Sequence, residues 1–146
     1  MKIEFTVFSE ADCNEAVLLW NKIEEVGLDD ADSIENIRIF LKRNPGMSFV
    51  ARHEGKMIGA VLCGHDGRRG YLHHLAVLPD YRGNGIGSRL VEKSLSALES
   101  AGIMKCNIFL FESNIKGKAF WEKTEWSGYE NLNLMYRWIK HKNNID

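Results

Sequence analysis

The chain has 146 residues, a length that usually forms one domain. Hydrophobic residues make up 45% and charged residues 27%, which is ordinary for a globular protein and excludes disordered and collagen-like chains. The 19 basic and 20 acidic residues leave a formal net charge of -1, without the basic excess of proteins that mainly hold nucleic acid. We therefore expect a single domain over residues 1–146 and no nucleic-acid partner.

The cysteine pattern and the lack of long apolar runs indicate the cellular compartment of the protein. The three cysteines, Cys13, Cys63 and Cys106, are far apart, odd in number and without a CxxC pair, so neither a disulfide framework nor a zinc site is expected. The N-terminus has acidic residues where a signal peptide needs an apolar core, and no apolar run approaches the ~20 residues of a membrane span. The sequence predicts a cytoplasmic protein with no metal site and no membrane partner.

The first third of the chain predicts one strand and two helices. Residues 2–8 alternate apolar and polar side chains, which predicts a strand. Apolar residues then recur twice at helical spacing, between cap and stop signals. The first helix runs from Ser9 or Asp12 to near Gly27, and the second from Asp32 or Ser33 to Asn44-Pro45-Gly46.

The rest of the chain predicts five strands and two helices. Turn signals at Glu54-Gly55 and Asp66-Gly67 separate three apolar runs, and a glycine-rich segment opens a helix that closes near Gly102. In chain order these elements are strands over 48–52, 56–64 and 70–78, the helix after the glycine-rich segment, a strand over 106–111, a short helix over 116–123 and a final strand over 132–139. The order β-α-α-β-β-β-α-β-α-β predicts a mixed α/β fold.

The strongest functional signal is the glycine-rich segment. A buried strand runs into Gly83, Gly85 and Gly87 and then directly into an amphipathic helix. A helix N-terminus has unpaired N–H groups and partial positive charge, and glycine lets a ligand approach the backbone, so the segment suits a phosphate or pyrophosphate. Ser88 stands where a Walker loop or a GxGxxG motif needs glycine, which excludes both. The alternative is a tight strand-to-helix turn without a ligand.

The residues around this segment match a known family signature. Val77-x-Pro79-x-Tyr81-Arg82-x-x-Gly85-x-Gly87 resembles the GNAT superfamily of N-acetyltransferases, in which Gln/Arg-x-x-Gly-x-Gly/Ala follows a Val-x-Pro-x-Tyr strand end. The predicted element order is also similar to the family fold over nearly the whole chain, a mixed central sheet with helices on both faces. A second family motif is similar to Asn114, Gly117, Phe120-Trp121-Glu122-Lys123 and Trp126.

The resemblance implies that acetyl-coenzyme A is the co-substrate. Its pantetheine arm would pair with the strand backbone at Leu75, Ala76 and Val77, where the family has a β-bulge that frees N–H and C=O groups. An N–H near Ala76 or Val77 would polarise the thioester carbonyl. Asn114 would approach the pantetheine, or cap the following helix, or both, and Trp121 would pack against the pantetheine. The pyrophosphate would rest on backbone N–H groups of Arg82, Gly83, Asn84, Gly85, Ile86, Gly87 and Ser88.

Two side chains on the strand before the glycine-rich segment are candidates for proton transfer. Acetyl transfer needs a neutral amine, and histidine is the side chain that titrates near pH 7. The resemblance puts His73 and Tyr71 at positions where family members have catalytic residues. We predict His73 as general base and Tyr71 as a relay or pocket wall; the alternative for His73 is a packed structural histidine. Period-two alternation predicts His74 on the opposite face, as a structural residue. Trp121 stands where many members have a tyrosine acid, so the general acid is unassigned.

An acidic segment lies on the side where the family binds its acceptor. Its carboxylates would attract a cationic amine. The alternative is a solvated loop in which Asp32-x-x-Glu35 forms a capping box. Tyr136 and Trp138 of the final strand are predicted core residues. The acidic segment comprises Glu24, Glu25, Asp29, Asp30, Asp32 and Glu35.

The sequence therefore predicts an N-acetyltransferase that passes acetyl directly from acetyl-coenzyme A to a small primary amine, without a covalent enzyme intermediate. One alternative acceptor is a peptide or protein N-terminus, including those of ribosomal proteins. An alternative of another class is a non-catalytic acyl-coenzyme A sensor, because Trp121 lacks the usual hydroxyl. Cys63 and Cys106 are predicted to be inert, and pairing of final strands would allow a homodimer.

Overall fold

The computed structural model describes residues 1–23 and 26–140. Its central feature is a five-stranded sheet with the strand order β1-β2-β3-β4-β5. Neighbouring strands pair antiparallel from β1 to β4, and β5 pairs parallel with β4. The strands are β1 Glu4–Val7, β2 Phe49–His53, β3 Lys56–His65, β4 Gly70–Val77 and β5 Cys106–Ile108.

Four α-helices accompany the sheet in the described part of the chain: α1 Cys13–Asn21, α2 Ile34–Arg43, α3 Ile86–Ser100 and α4 Ile115–Lys123. None of these helices is long and apolar enough to cross a membrane. The chain divides into two compact units, Met1–Phe109 and Leu110–Asp146. The first unit contains the sheet and α1 to α3, and the second contains α4. A single domain over the whole chain stays a prediction.

Local side-chain hydrogen bonds lie close to the starts of the first two helices. Before α1, the Ser9 N–H donates to the Asp12 carboxylate at 2.9 Å. At α2, Ser33 Oγ accepts the N–H of Asn36 at 3.1 Å. The Ser33 bond satisfies an N–H group that the start of α2 leaves open, as the predicted cap requires. The Ser9 bond closes a capping box around the 3-10 turn Glu10–Asp12 that leads into α1, and Asp12 makes no side-chain cap of α1. α2 ends at its predicted stop, whereas α1 ends at Asn21 and not near Gly27.

Helices cover both faces of the sheet, as predicted. On one face, Trp20 of α1 and Ile37 of α2 lie in one buried cluster with Ala60 of β3. On the other face α3 packs closely, because a Cβ added at Gly59 would lie 3.2 Å from Leu90 Cδ1. Because helices cover both faces of the sheet, side chains on both faces of β3 are apolar. The sequence of β3 is therefore a continuous apolar run and not an alternating one.

The predicted final strand is wrong. Residues 132–139 pair with no strand in the described structure, and Leu134 and Tyr136 are 71% and 86% exposed. Tyr136 is therefore not a core residue, and Trp138 is only partly buried. Alternation describes side chains, whereas a strand also needs a neighbouring edge, so the pattern alone was insufficient. β5 also stops at Ile108, short of its predicted end, and the element order becomes β-α-α-β-β-β-α-β-α.

Candidate functional site

The glycine-rich loop joins β4 to α3. A single 3-10 turn over Pro79–Tyr81 follows β4. Gly83 and Gly85 then take left-handed backbone conformations, with φ of 81° and 76°, and Gly85 is the N-cap of α3. A Cβ added at either glycine would meet nothing within 4 Å. The backbone conformation therefore favours glycine at both positions, and the space beside them is open.

The start of α3 leaves backbone donors next to that open space. The first hydrogen bond of the helix runs from the Arg89 N–H to the Gly85 carbonyl at 3.0 Å. The N–H groups of Ile86, Gly87 and Ser88 precede it, so the helix itself supplies no partner for them. Together with the positive end of the helix dipole, these donors suit an anion such as pyrophosphate.

Side chains brace the loop against the end of β4. Arg82 Nε donates to the Val77 carbonyl at 2.9 Å, and Asn84 Nδ2 donates to the Tyr81 carbonyl at 3.0 Å. The Arg82 N–H already donates to the Pro79 carbonyl at 3.2 Å. A contact between the Arg82 N–H and a phosphate stays a prediction, and the hydrogen bond to the Pro79 carbonyl disfavours that contact.

The second half of β4 has an open edge before this loop. β5 pairs only with the first three residues of β4 and ends opposite Leu72. Within the described chain, no strand lies on that side of residues 73–77. An open strand edge offers N–H and C=O groups to an extended ligand. Leu75, Ala76 and Val77, the residues predicted to meet the pantetheine arm, lie on this edge.

A β-bulge interrupts β4 in the middle of the open edge. Between the Leu62–His73 pair and the Ala60–Ala76 pair, β4 has two residues where β3 has one. The first of the two is His74, whose φ is 54°. The bulge breaks the period-two alternation, and the imidazoles of His73 and His74 lie 6.3 Å apart. The prediction that these two histidines lie on opposite faces is therefore wrong.

His73 lies among aromatic rings. Its imidazole stacks on Tyr71, with centroids 6.2 Å apart and planes 5° apart, which confirms their predicted shared face. Phe40 of α2 and Phe109 each lie 5.9 Å from it. Burial, followed by the charge of the neighbouring imidazole, lowers the pKa of His73 below its ordinary value, and Asp32 opposes them in part. His73 is therefore neutral at pH 7 and able to accept a proton.

His74 has a carboxylate partner that the sequence did not reveal. Its Nε2 lies 2.8 Å from Asp32 Oδ1, and the two side chains are 17% and 20% exposed. Burial acts to raise the pKa of Asp32, but hydrogen bonds from His74 and the Asp29 N–H, with the histidine charges, outweigh it and lower that pKa. Asp32 is thus ionised at pH 7. The pair is 42 residues apart in the chain, so no local spacing could indicate it.

The acidic segment before α2 is partly structural. The Asp29 carboxylate accepts the Ala31 N–H at 2.8 Å, and the Asp32 carboxylate accepts the Asp29 N–H at 3.0 Å. The capping box is therefore formed by Asp29 and Asp32, not by Asp32 and Glu35. Of the remaining members, Asp30 and Glu35 are exposed, and Glu24 and Glu25 lie outside the described residues.

The second unit contains the other two predicted cofactor residues. Asn114 Oδ1 accepts the Gly117 N–H at 2.8 Å, so Asn114 caps α4. A Cβ added at Gly117 would collide with that asparagine side chain. Trp121 is 8% exposed, and its ring lies 5.0 Å from Trp126. The capping role of Asn114 is confirmed, while contacts of Asn114 and Trp121 with a cofactor stay predictions.

The thiols of Cys63 and Cys106 are held in the protonated form, in agreement with the prediction that these two residues are inert. Burial raises the pKa of Cys63 to about 12 and that of Cys106 to about 11. Burial also raises the pKa of Cys13. The thiolate is the nucleophilic form, so none of the three is a nucleophile at neutral pH. The described residues contain no cluster of side chains that could hold a metal ion.

Known proteins similar to this chain are acetyltransferases. The acetyltransferase (GNAT) family matches residues 14–126. An acetyltransferase of Yersinia enterocolitica is 31% identical over 137 residues, which cover 94% of this chain and 96% of that protein. The PaiA N-acetyltransferase of Thermoplasma acidophilum, solved in complex with coenzyme A, has a TM-score of 0.72 at 18% identity and covers 85% of this chain and 89% of its own. The ribosomal-protein-alanine N-acetyltransferase of Brucella melitensis also has a TM-score of 0.72, at 17% identity, over 94% and 100% of the two chains.

Proposed function

The chain belongs to the acetyltransferase (GNAT) family and uses acetyl-coenzyme A as its acetyl donor, and we propose that it transfers the acetyl group directly to a small primary amine. The proposal rests on the arrangement of backbone and side-chain groups around the β4 bulge. There an open strand edge leads to a loop with free N–H donors, and the neutral base His73 lies near the ionised Asp32. Membership of the family sets aside the non-catalytic sensor.

The donor would lie along β4 and the glycine-rich loop. Acetyl-coenzyme A supplies an activated thioester. The N–H groups of residues 83–88 are the proposed pyrophosphate donors, because Gly83 and Gly85 leave open space beside them. The strand backbone of residues 75–77 is the proposed partner of the pantetheine arm, since that edge has no strand partner in the described chain. Asn114 and Trp121 are proposed further contacts.

His73 is the proposed general base. An alkylamine has a pKa of ~10.4, so only about 1 molecule in 2,500 is neutral at pH 7 and able to attack. His73 accepts the amine proton while the amine nitrogen bonds to the acetyl carbon and displaces the thiolate, which solvent protonates. A thiolate whose conjugate acid has a pKa of ~8.5 leaves without a dedicated acid. This agrees with Trp121, whose indole donates a hydrogen bond only.

Transfer without an acyl-enzyme is supported by the thiols. A covalent route needs an activated nucleophile, such as a thiolate beside a base. Burial instead keeps Cys63 and Cys106 protonated, with pKa values of about 12 and about 11. The acetyl group therefore has no cysteine to pass through, and the amine attacks the thioester itself.

A small cationic acceptor is supported by the charge and the rings beside the base. Asp32 is ionised and partly buried, and a carboxylate there attracts an ammonium group. Tyr71 and Phe40 flank His73 and offer ring faces that also attract a cation. Polyamines and aminoglycosides are small molecules that carry several ammonium groups.

The test is release of coenzyme A from acetyl-coenzyme A across a panel of polyamines, aminoglycosides, amino acids, arylalkylamines and short peptides. A blank corrects for the three protein thiols. We expect turnover with small cationic amines and little with peptides. Turnover with peptides alone would make a peptide N-terminus the acceptor. Silence across the panel, with acetyl-coenzyme A bound, would overturn the small-amine proposal.

A further inference from the structure

We propose that Trp20, Asp32 and His74 form a clamp that holds the β4 bulge in the conformation that receives the acetyl thioester. The inference rests on the proposed function, because it concerns the same donor site. All three are positioning residues that act through the backbone of β4, and none is proposed to touch the reacting atoms.

The bulge needs a clamp because histidine disfavours the backbone conformation found there. His74 has a φ of 54°. In this left-handed region the Cβ of an L-residue crowds the following carbonyl, and glycine is the residue that usually takes this conformation at the first position of a G1 bulge. Non-glycine residues persist in such conformations only where their surroundings impose them, and they cluster at functional sites. Interactions from outside β4 must therefore hold His74.

Two hydrogen bonds from outside β4 hold His74 in this conformation. Trp20 Nε1, on α1, donates to the main-chain carbonyl of His74 at 2.8 Å. Asp32 Oδ1, just before α2, lies 2.8 Å from His74 Nε2. Trp20 is completely buried and its ring lies 5.2 Å from the imidazole. The backbone and the side chain of one residue are thus fixed by two different elements.

The clamp matters because of the residues that follow His74 in β4. Residues 75–77 follow His74 on the open edge and are the proposed partners of the donor. A one-residue change of register turns every following group to the other side of a strand. If His74 relaxed to an extended conformation, the bulge would close, and the N–H groups after it would change sides. The clamp therefore decides which N–H groups face the open edge.

Two substitutions at His74 distinguish this role from packing. His74→Ala removes the imidazole and keeps the cost of a left-handed backbone, whereas His74→Gly removes the imidazole and that cost together. The lost bond involves a charged group, so we expect the Kd of acetyl-coenzyme A to rise about tenfold or more in His74→Ala. In His74→Gly it should stay within about threefold of wild type. Binding is measured by calorimetry, and unfolding temperatures are recorded for each variant.

A matched pair at Asp32 tests the other half of the clamp. Asp32→Asn keeps one side-chain oxygen, which can accept the hydrogen bond of His74 at the cost of the Asp29 N–H bond to the other oxygen, whereas Asp32→Ala has neither acceptor. We expect Asp32→Asn to bind acetyl-coenzyme A nearly as wild type does, and Asp32→Ala to resemble His74→Ala. Weakening of equal size in the two Asp32 variants would overturn a geometric role for this carboxylate.

The bulge can also be measured without the donor. Nuclear Overhauser contacts between Ala60 and Ala76 and between Leu62 and His73 report the register on each side of the bulge. We expect both contacts in wild type and in His74→Gly, and loss of the Ala60–Ala76 contact in His74→Ala. The same register and affinity in both His74 variants would overturn the clamp. Wild-type protein with an intact bulge that binds no acetyl-coenzyme A would instead overturn the proposed function, and with it the purpose of the clamp.

Discussion

At the scale of single residues, proton transfer depends on how His73 is shielded from water. The titratable groups that face it are Tyr71, His74 and Asp32, and the rings packed against it are the apolar Phe40 and Phe109. Burial is the largest influence on the pKa of His73 and lowers it. A base that is neutral at the working pH can take the amine proton, which is the property that general-base catalysis needs.

The acid side of the pH profile should report this shielding. We expect kcat/KM to fall toward acid with a midpoint below the ordinary histidine pKa of about 6.5. Phe40→Ala admits water beside His73 and should move the midpoint upward. Ile39→Ala, on the same helix but 53% exposed, is the control and should leave it unchanged. A wild-type midpoint at or above the ordinary value would contradict a shielded His73.

Replacement of His73 should separate chemistry from binding. We expect His73→Gln to lower kcat by about 10²- to 10⁴-fold, the usual contribution of a general base, and to leave the Kd of acetyl-coenzyme A unchanged. His65→Gln is a matched change at a histidine outside the site, whose Nδ1 accepts the Gly67 N–H at the β3–β4 turn. Steady-state kinetics and calorimetry measure the two quantities. An unchanged kcat in His73→Gln would return His73 to a packing role.

At the scale of elements, the loop between β4 and α3 links backbone conformation to donor binding. Gly85 and Gly46 form a matched pair, since their φ angles are 76° and 77° and a Cβ added at either meets nothing within 4 Å. We expect Gly85→Ala and Gly46→Ala each to lower the free energy of unfolding by about 1 kcal/mol. Only Gly85→Ala should also weaken acetyl-coenzyme A binding, because its methyl group enters the space beside the donors. Equal donor affinity in the two variants would argue against a pyrophosphate site at this loop.

Elements bounded by local signals could be predicted from the sequence, and those that depend on distant partners could not. Ser33 caps α2 through a bond to a residue three positions on, so its spacing was visible. The strand predicted over 132–139 failed because pairing needs an edge that no local pattern describes. The glycine-rich loop of the site could also be predicted, because its motif is contained in one short segment of the sequence. The His74–Asp32 pair was not, because a bulge defeats alternation and 42 residues separate the partners.

At the scale of the whole molecule, three partly buried groups link stability to pH in the same direction. Burial lowers the pKa of His73. Burial acts to raise the pKa of Glu15 and of Asp32, but hydrogen bonds outweigh it and lower both, from the Met57 N–H and Arg52 for Glu15 and from His74 for Asp32. A pKa lowered by folding stabilises the native state above the unfolded pKa, and this contribution is lost as the pH falls.

Stability should therefore decline toward acid in two steps. We expect the free energy of unfolding to fall first below about pH 6.5, as unfolded His73 gains a proton, and again below about pH 4, as Glu15 and Asp32 are protonated. Urea unfolding above and below each step measures the change, and His73→Leu should remove the first step. A free energy that stays constant or rises toward acid would contradict these shifts.

We propose above that acetyl-coenzyme A lies along the open edge of β4 and on the glycine-rich loop. Titration of ¹⁵N-labelled protein with acetyl-coenzyme A, followed by amide chemical shifts, tests it most directly. We expect saturable shifts that are largest at residues 75–77 and 83–88, with little change at the β3–β4 turn over residues 66–69. Saturable shifts confined to other amides, or no shifts at all, would contradict it.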